Sequence, residues 1–219
     1  MANKSISNLE GVHIISHPLV NAKLSVLRQA STSPKEFREG IHDLSFILGF
    51  EASRDVKEVN IEGTTPLGAT FNGTTISPRI GLTPILRAGL GMTDAMLSLF
   101  PSARTYHIGL FREKTSLQPV EYYSKLPRTP TVDLCFLLDP LVATGGTACA
   151  AINMILDWGI SIRNIKFLVI LASRTGLERI HSEFPDLEVW VAGVDVNLTA
   201  EGLVSPGLGD TGDRLFNTT

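Results

Sequence analysis

Phe136-Leu-Leu-Asp-Pro-Leu-Val-Ala-Thr-Gly-Gly-Thr147 decides the fold of this chain. The run from Val132 to Leu138 is short and, apart from Asp133, apolar, as a strand buried on both faces requires. It stops at Asp139. A loop of small residues follows to Gly146, and Thr147 opens a helix that ends near Gly159, a residue suited to a left-handed cap. The same alternation continues on either side. Ile80 to Leu86 reads as a strand, Arg87-Ala88-Gly89 turns it into a helix running to about Leu99, and Thr105 to Phe111 is the next strand. Downstream, Ile165 to Leu171 is a buried strand, Thr175 to Phe184 a helix stopped by Pro185, and Leu187 to Ala192 a last core strand. Alternating strands and helices predict an α/β fold, with a mainly parallel sheet flanked by helices.

The flanks read differently. Residues 1–11 form a polar tail. Pro18 to Ala30 is helical, and a second helix starts after Ser33, an N-cap, with Pro34 in its first position. Phe37, Ile41, Leu44 and Leu48 recur at helical spacing and face the core. Lys57 to Thr75 suggests short strands or a hairpin. Residues 112–128, with Pro119 and Pro127, read as a mobile flap or hairpin, and residues 197–216 as an irregular, Gly-rich segment. No repeat or linker divides the chain, so residues 1–219 are one domain.

Composition excludes several classes. Nineteen Lys and Arg against 22 Asp and Glu give a net charge of −3, no footprint for nucleic acid. Hydrophobic residues make up 43% of the chain, which supports a packed core. No apolar run approaches the roughly 18 residues of a membrane span. Cys135 and Cys149, both in apolar or small-residue surroundings, read as buried thiols of a reducing compartment, and the expected location is the cytoplasm.

The loop after Asp139 has what a phosphate cradle needs. Gly145 and Gly146 allow positive φ and close backbone approach, Thr144 and Thr147 offer hydroxyls, and the helix behind them presents free N–H groups. No Lys follows the glycines, so it is not a Walker loop, and it lacks the G-x-G-x-x-G spacing of dinucleotide sites. The same composition also suits an ordinary strand-to-helix turn.

Asp139-Pro-Leu-Val-Ala-Thr-Gly-Gly-Thr147 resembles the phosphoribosyl-diphosphate (PRPP) loop of uracil phosphoribosyltransferases. Three further segments resemble that family in the same order: Pro84-Ile-Leu-Arg-Ala-Gly-Leu-Gly-Met92, Pro101-Ser-Ala-Arg104 and Pro206-Gly-Leu-Gly-Asp-Thr-Gly-Asp213. His17-Pro-Leu-Val20 and Phe37-Arg38 also fit, so the likeness runs from about residue 12 to the C-terminus. It implies a phosphoribosyltransferase-type sheet with a helical N-terminal arm, a flap hairpin and a C-terminal base-binding hood. It implies transfer of the 5-phosphoribosyl group from PRPP to N1 of uracil, giving UMP and pyrophosphate.

By that resemblance, PRPP is bound by Arg87, Arg112, Asp139, Pro140, Leu141, Val142, Ala143, Thr144, Gly145, Gly146, Thr147 and Asp210, with Arg112 and Asp210 as the catalytic candidates. Guanidinium forks suit phosphate oxygens and a departing pyrophosphate. Many phosphoribosyltransferases end the central strand with two acids; here the second is Pro140, as in the uracil branch, so no protein metal site is expected and Mg²⁺ comes with PRPP. Val204, Gly209, Asp210 and Thr211 occupy the base-binding positions. The family usually has Tyr at Leu203, an aliphatic residue at Ser205 and Ala at Thr211, so the chain departs from it at the specificity end. A different pyrimidine-like base, or a non-catalytic nucleotide-sensing regulator, stays open beside uracil. The resemblance further implies a homo-oligomer, dimer or tetramer, and in some members activation by GTP. The five histidines show no metal-ligand spacing, and Ser and Cys lack a nucleophile context.

Overall fold

The computed structural model describes residues 9–112 and 119–218; the side chains of Arg112 and Pro119 are outside that description. Among the described residues, nine strands form one sheet. Its path runs β1 (Val12–Ile14), β11 (Glu188–Asp195), β10 (Ile165–Ser173), β8 (Leu134–Leu138), β4 (Ile80–Leu86), β6 (Ile108–Arg112), β7 (Pro119–Ser124). Every pairing on this path is parallel except β6 with β7. Two short strands lie off it: β5 (Arg104–Thr105) pairs with β4, and β9 (Leu141–Val142) with β10.

Strand residues alternate between two cores, as a period of two dictates. Cys135 and Leu137 meet α4 (Gly146–Trp158) and α5 (Arg174–Glu183) through Ile152, Ile155, Leu177 and Ile180. Leu134, Phe136 and Leu138 meet α1 (Pro18–Arg28), α2 (Pro34–Ala52) and α3 (Leu90–Leu99) through Leu27, Phe37, Ile41, Leu44, Met92 and Met96. The two-layer cover explains why β8, and β10 from Phe167 to Ala172, read as unbroken apolar runs. Phe37, Ile41, Leu44 and Leu48 are fully buried, as their spacing predicts. Ser33 caps α2 with a complete capping box: its hydroxyl accepts from the Glu36 amide, and the Glu36 carboxylate accepts from the Ser33 amide.

Lys166, at the start of β10, ties the end of α2 to the sheet. Its ammonium, 5% exposed, donates to the Ala52 carbonyl at 2.9 Å and pairs with Asp55 and with Glu188 at 3.1 Å. Both cysteines are buried free thiols, as expected. Lys57 to Thr75 forms a separate antiparallel hairpin of β2 (Glu58–Thr64) and β3 (Thr70–Ile76).

Three readings need correction. The strand expected over Thr105 to Phe111 is broken into β5 and β6, although both keep one register on β4 (Leu82 opposite Thr105, Ile85 opposite Ile108). The Tyr106 amide donates to the Leu82 carbonyl at 2.8 Å; the ladder would next take an amide from position 84, and Pro84 has none. Of the expected tail 1–11, residues 1–8 lie outside the described ones, whereas Leu9 packs on the core and the Gly11 carbonyl accepts from Val189 at 2.8 Å, leading into β1. The C-terminal segment, read as irregular, holds a two-stranded pair of β12 (Asn197–Leu198) with β13 (Val204–Ser205) and a short helix, α6 (Thr211–Phe216). Residues 112–128 contain β7, which pairs back on β6, so the hairpin reading holds there; residues 113–118 lie outside the described ones. Among the described residues no helix is long and apolar enough to cross a membrane.

Candidate active site

Because the sheet is parallel, the carboxyl ends of β4, β8, β10 and β11 share one edge, where ligands of open α/β sheets bind. Leu86, Leu138, Ser173 and Asp195 end these strands, and three loops gather above them.

The central loop, 139–147, encloses a cleft of about 110 Å³ lined by Asp139, Leu141 to Thr147 and Ala148. Gly145 is the N-cap of α4, with φ +78°, and no side chain caps that helix. Its first N–H groups have no intrahelical acceptor by construction, the arrangement in which helix amides can serve an anion. Gly145 is required for a second reason: a Cβ there would stand 2.9 Å from the Gly176 carbonyl oxygen. The loop is seated on the start of α5, where the Ser173 hydroxyl donates to the Ala143 carbonyl and accepts from the Gly176 amide at 2.8 Å. Asp139 lies part-buried at the cleft. Burial pushes its carboxyl up to about 7, against one weak contact from the Leu141 amide at 3.4 Å.

The second loop, 87–89, follows β4. The Leu86–Arg87 peptide is cis. Gly89 packs so closely over the neighbouring strand that a Cβ would stand 2.5 Å from the Leu138 carbonyl oxygen. This brings α3, also without a side-chain cap, beside the 139–147 loop. Among the described residues, α1, α2, α5 and α6 have their first turns capped by His17, Ser33, Ser173 and Asp210. The two α-helices without such a cap, α3 and α4, are those that begin at the predicted anion site. Arg87 donates to Asp213 at 2.9 Å and to the Thr218 hydroxyl at 3.3 Å. The Thr218 hydroxyl, and after it Arg87, holds the Asp213 carboxyl below its ordinary value.

The third loop, 199–211, is the predicted hood. Val204 and Thr211 are buried, whereas Leu203 is 63% exposed. Asp210 caps α6 by accepting from the Asp213 amide at 2.9 Å. A Cβ on Gly212 would stand 3.3 Å from Asp210 Oδ1 and 3.6 Å from Arg87 Nη2, so the hood and the Arg87 loop meet there. Three arginines fasten the hood and α6 to the N-terminal helices; one is Arg38 of α2, which donates to the Leu215 carbonyl at 2.9 Å. Arg28 binds both carboxylate oxygens of Asp195, at 2.8 and 2.7 Å, and the Gly207 carbonyl at 3.0 Å. Arg214 donates to the carbonyls of Leu27, Leu208 and Gln29 and lies 4.1 Å over the Phe37 ring.

The structure therefore gathers Arg87, Asp139 to Thr147 and Asp210 at one edge of the sheet. Val204, Gly209 and Thr211 lie in the adjoining hood. Arg112 ends β6, the strand beside β4; its side chain is outside the described residues. Burial pushes both thiols up to about 12, which leaves them protonated near neutrality. Sequence reasoning missed Ser173 and Gly176 beneath the loop, and Arg28, Asp195 and Arg214 around the hood. Ser173 had a local signal, an N-cap type at the end of an apolar strand. The hood fastenings had none.

The chain is similar to known proteins along nearly its whole length. Residues 14–218 match the family model for uracil phosphoribosyltransferase. A uracil phosphoribosyltransferase of Roseiflexus sp. (strain RS-1) is 48% identical over 94% of this chain and 98% of its own. Among solved structures, the AQ2163 protein from Aquifex aeolicus superposes with a TM-score of 0.88 at 33% identity, covering 95% of this chain and 99% of that one. The structure of an APRTase from Giardia lamblia complexed with 9-deazaadenine shares the fold at a TM-score of 0.51 and 13% identity, over 80% of this chain and 85% of that one. With the matched region spanning nearly the whole chain, the protein belongs to the uracil phosphoribosyltransferase family.

Proposed function

We propose that this protein transfers the 5-phosphoribosyl group of PRPP to N1 of uracil, forming UMP and releasing pyrophosphate, a pyrimidine salvage reaction in the cytoplasm. One observation carries the reading beyond family membership: the only two α-helices whose N-cap residue makes no side-chain cap, among the described residues, start where a doubly phosphorylated ligand would lie. PRPP has two such groups. The 5-phosphate goes to Thr144, Gly145, Gly146 and Thr147 at α4; the pyrophosphate goes to Arg87 and α3.

In this reading N1 of uracil bonds to C1 of the ribose as the C1–O bond to pyrophosphate breaks, and the base loses its N1 proton. Charge builds on the departing pyrophosphate, where Arg87 and Arg112 stabilise it. The β6–β7 hairpin carrying Arg112 closes over the site and keeps water from C1. Asp139 takes the ribose hydroxyls. Val204, Gly209, Asp210 and Thr211 read the base edge, where an ill-fitting edge leaves buried polar groups unpaired. Mg²⁺ supplies charge neutralisation on the pyrophosphate. The donors fit an ion that arrives on PRPP and keeps its waters: beside Asp139 stands Pro140, which has no carboxylate to complete a protein site. Activation by GTP and assembly into a dimer or tetramer belong to the same reading.

The test is UMP formation from labelled uracil, PRPP and Mg²⁺, with and without GTP, with Arg112→Ala as control. UMP from the wild type and a collapse in the variant support the proposal. PRPP binding without UMP directs attention to Leu203, Ser205 and Thr211 and to other bases. Failure to bind PRPP sinks the proposal.

A further inference from the structure

We propose that Arg28 and Asp195 form the positioning clamp of the base-binding hood, and so set affinity for the base without touching it. The inference rests on the function proposed above. The clamp is a closed ring of hydrogen bonds. Asp195 ends β11 with its side chain 8% exposed; Arg28 ends α1 with its side chain 29% exposed. The guanidinium grips both oxygens of Asp195, and the same groups hold both backbone polar atoms of Gly207: its N–H donates to Asp195 at 2.9 Å, and its carbonyl accepts from Arg28 at 3.0 Å.

Gly207 is the right place to hold. It lies midway between Val204 and Asp210, the first and third of the residues assigned to the base. Its φ is +67°, and a Cβ would stand 2.1 Å from the Val204 carbonyl oxygen, so backbone of the hood folds tightly on itself here. Fixing one residue of such a turn fixes its neighbours. A paired, part-buried fork does this where a lysine cannot, because it holds two partners in one plane. Recognition of a flat base by backbone groups tolerates displacements of a few tenths of an ångström.

The effect falls on the base: of the residues assigned to PRPP only Asp210 lies in the hood, and it is held through α6 by Arg214 and by Arg38, which donates to the Leu215 carbonyl at 2.9 Å. The PRPP loops hang from other elements: 139–147 from β8 and Ser173, and 87–89 from β4 over β8. Only the hood hangs from α1. Arg214 provides an independent fastening at Leu208, so loss of Arg28 shifts the hood without releasing it.

The experiment compares Arg28→Lys with the wild type by steady-state kinetics, thermal melting and amide hydrogen exchange. Arg79→Lys serves as control; its pair with Asp133 lies at the opposite end of the sheet. Arg28→Lys is expected to raise KM for uracil about ten- to a hundredfold, as displaced recognition groups do. KM for PRPP stays within about twofold, because its loops have other supports. Exchange quickens over residues 204–211 and not in the sheet, and Arg79→Lys changes neither constant. Unchanged uracil KM, or a parallel rise in both constants, overturns the clamp. Should the wild type make no UMP, the function proposed above fails. The clamp is then judged by exchange alone, and unaltered protection over 204–211 in Arg28→Lys overturns it.

Discussion

Arg87 and Asp139 are separated by 52 positions in the chain and brought to adjacent strand ends by the fold. Arg87 is paired with Asp213 and Thr218, yet its guanidinium stands beside an uncapped helix start, where a phosphate can compete for it. Replacing it with alanine should lower kcat about a hundredfold, the usual cost of removing one donor from developing negative charge. Steady-state assays at saturating uracil check this, and a change below threefold contradicts the pyrophosphate role. Asp139 makes a pH prediction. Its carboxyl titrates near 7 in the folded protein and near 3.8 when unfolded. Between these values the native state holds a proton that the unfolded chain has released, so stability from this group falls as pH rises through the window. Melting temperatures should show Asp139→Asn gaining on the wild type from pH 5 to 8. A constant difference between the two proteins would remove burial as the governing effect.

At the scale of elements, local signals were legible where one element decides its own state. The helix from Pro34 announces itself by Ser33, Pro34 and its apolar spacing. Ser33→Ala should cost about 1 kcal/mol, measured as a lowered urea midpoint with unchanged slope. The loop after Asp139 was legible for the same reason: glycines, threonines and a strand end lie in one continuous stretch. What stayed hidden depends on a second element. Val12–Ile14 is a strand only because β11 offers an edge to pair with. The break between β5 and β6 is caused by a proline on the neighbouring strand. The six residues of α6 are too few for periodicity and rely on Asp210 as a cap. Arg28 and Asp195, 167 positions apart, carry no mark in the sequence that names either as the other's partner.

Across the whole molecule, the site lies at one end of the sheet, and buried charge fastens the other. Lys166 is enclosed among Ala52, Asp55 and Glu188 near the amino ends of the strands. Lys166→Ala should destabilise the fold by about 2 kcal/mol, less than a fully buried pair because Asp55 and Glu188 are part-exposed. The urea midpoint measures it, and KM for PRPP should not move, because the network is remote from the strand ends that carry the loops.

The fastening of the hood to α1 also sets an order of completion during synthesis. A ribosome delivers Arg28 before Arg214, with every strand of the main sheet emerging between β1 and Asp195. A nascent chain halted before Leu208 already possesses all the strands of that sheet and the loop after Asp139, but it lacks Gly209 to Thr211 of the proposed base site. The scaffold is finished first, and the proposed base site is completed only once Leu208 to Arg214 have followed.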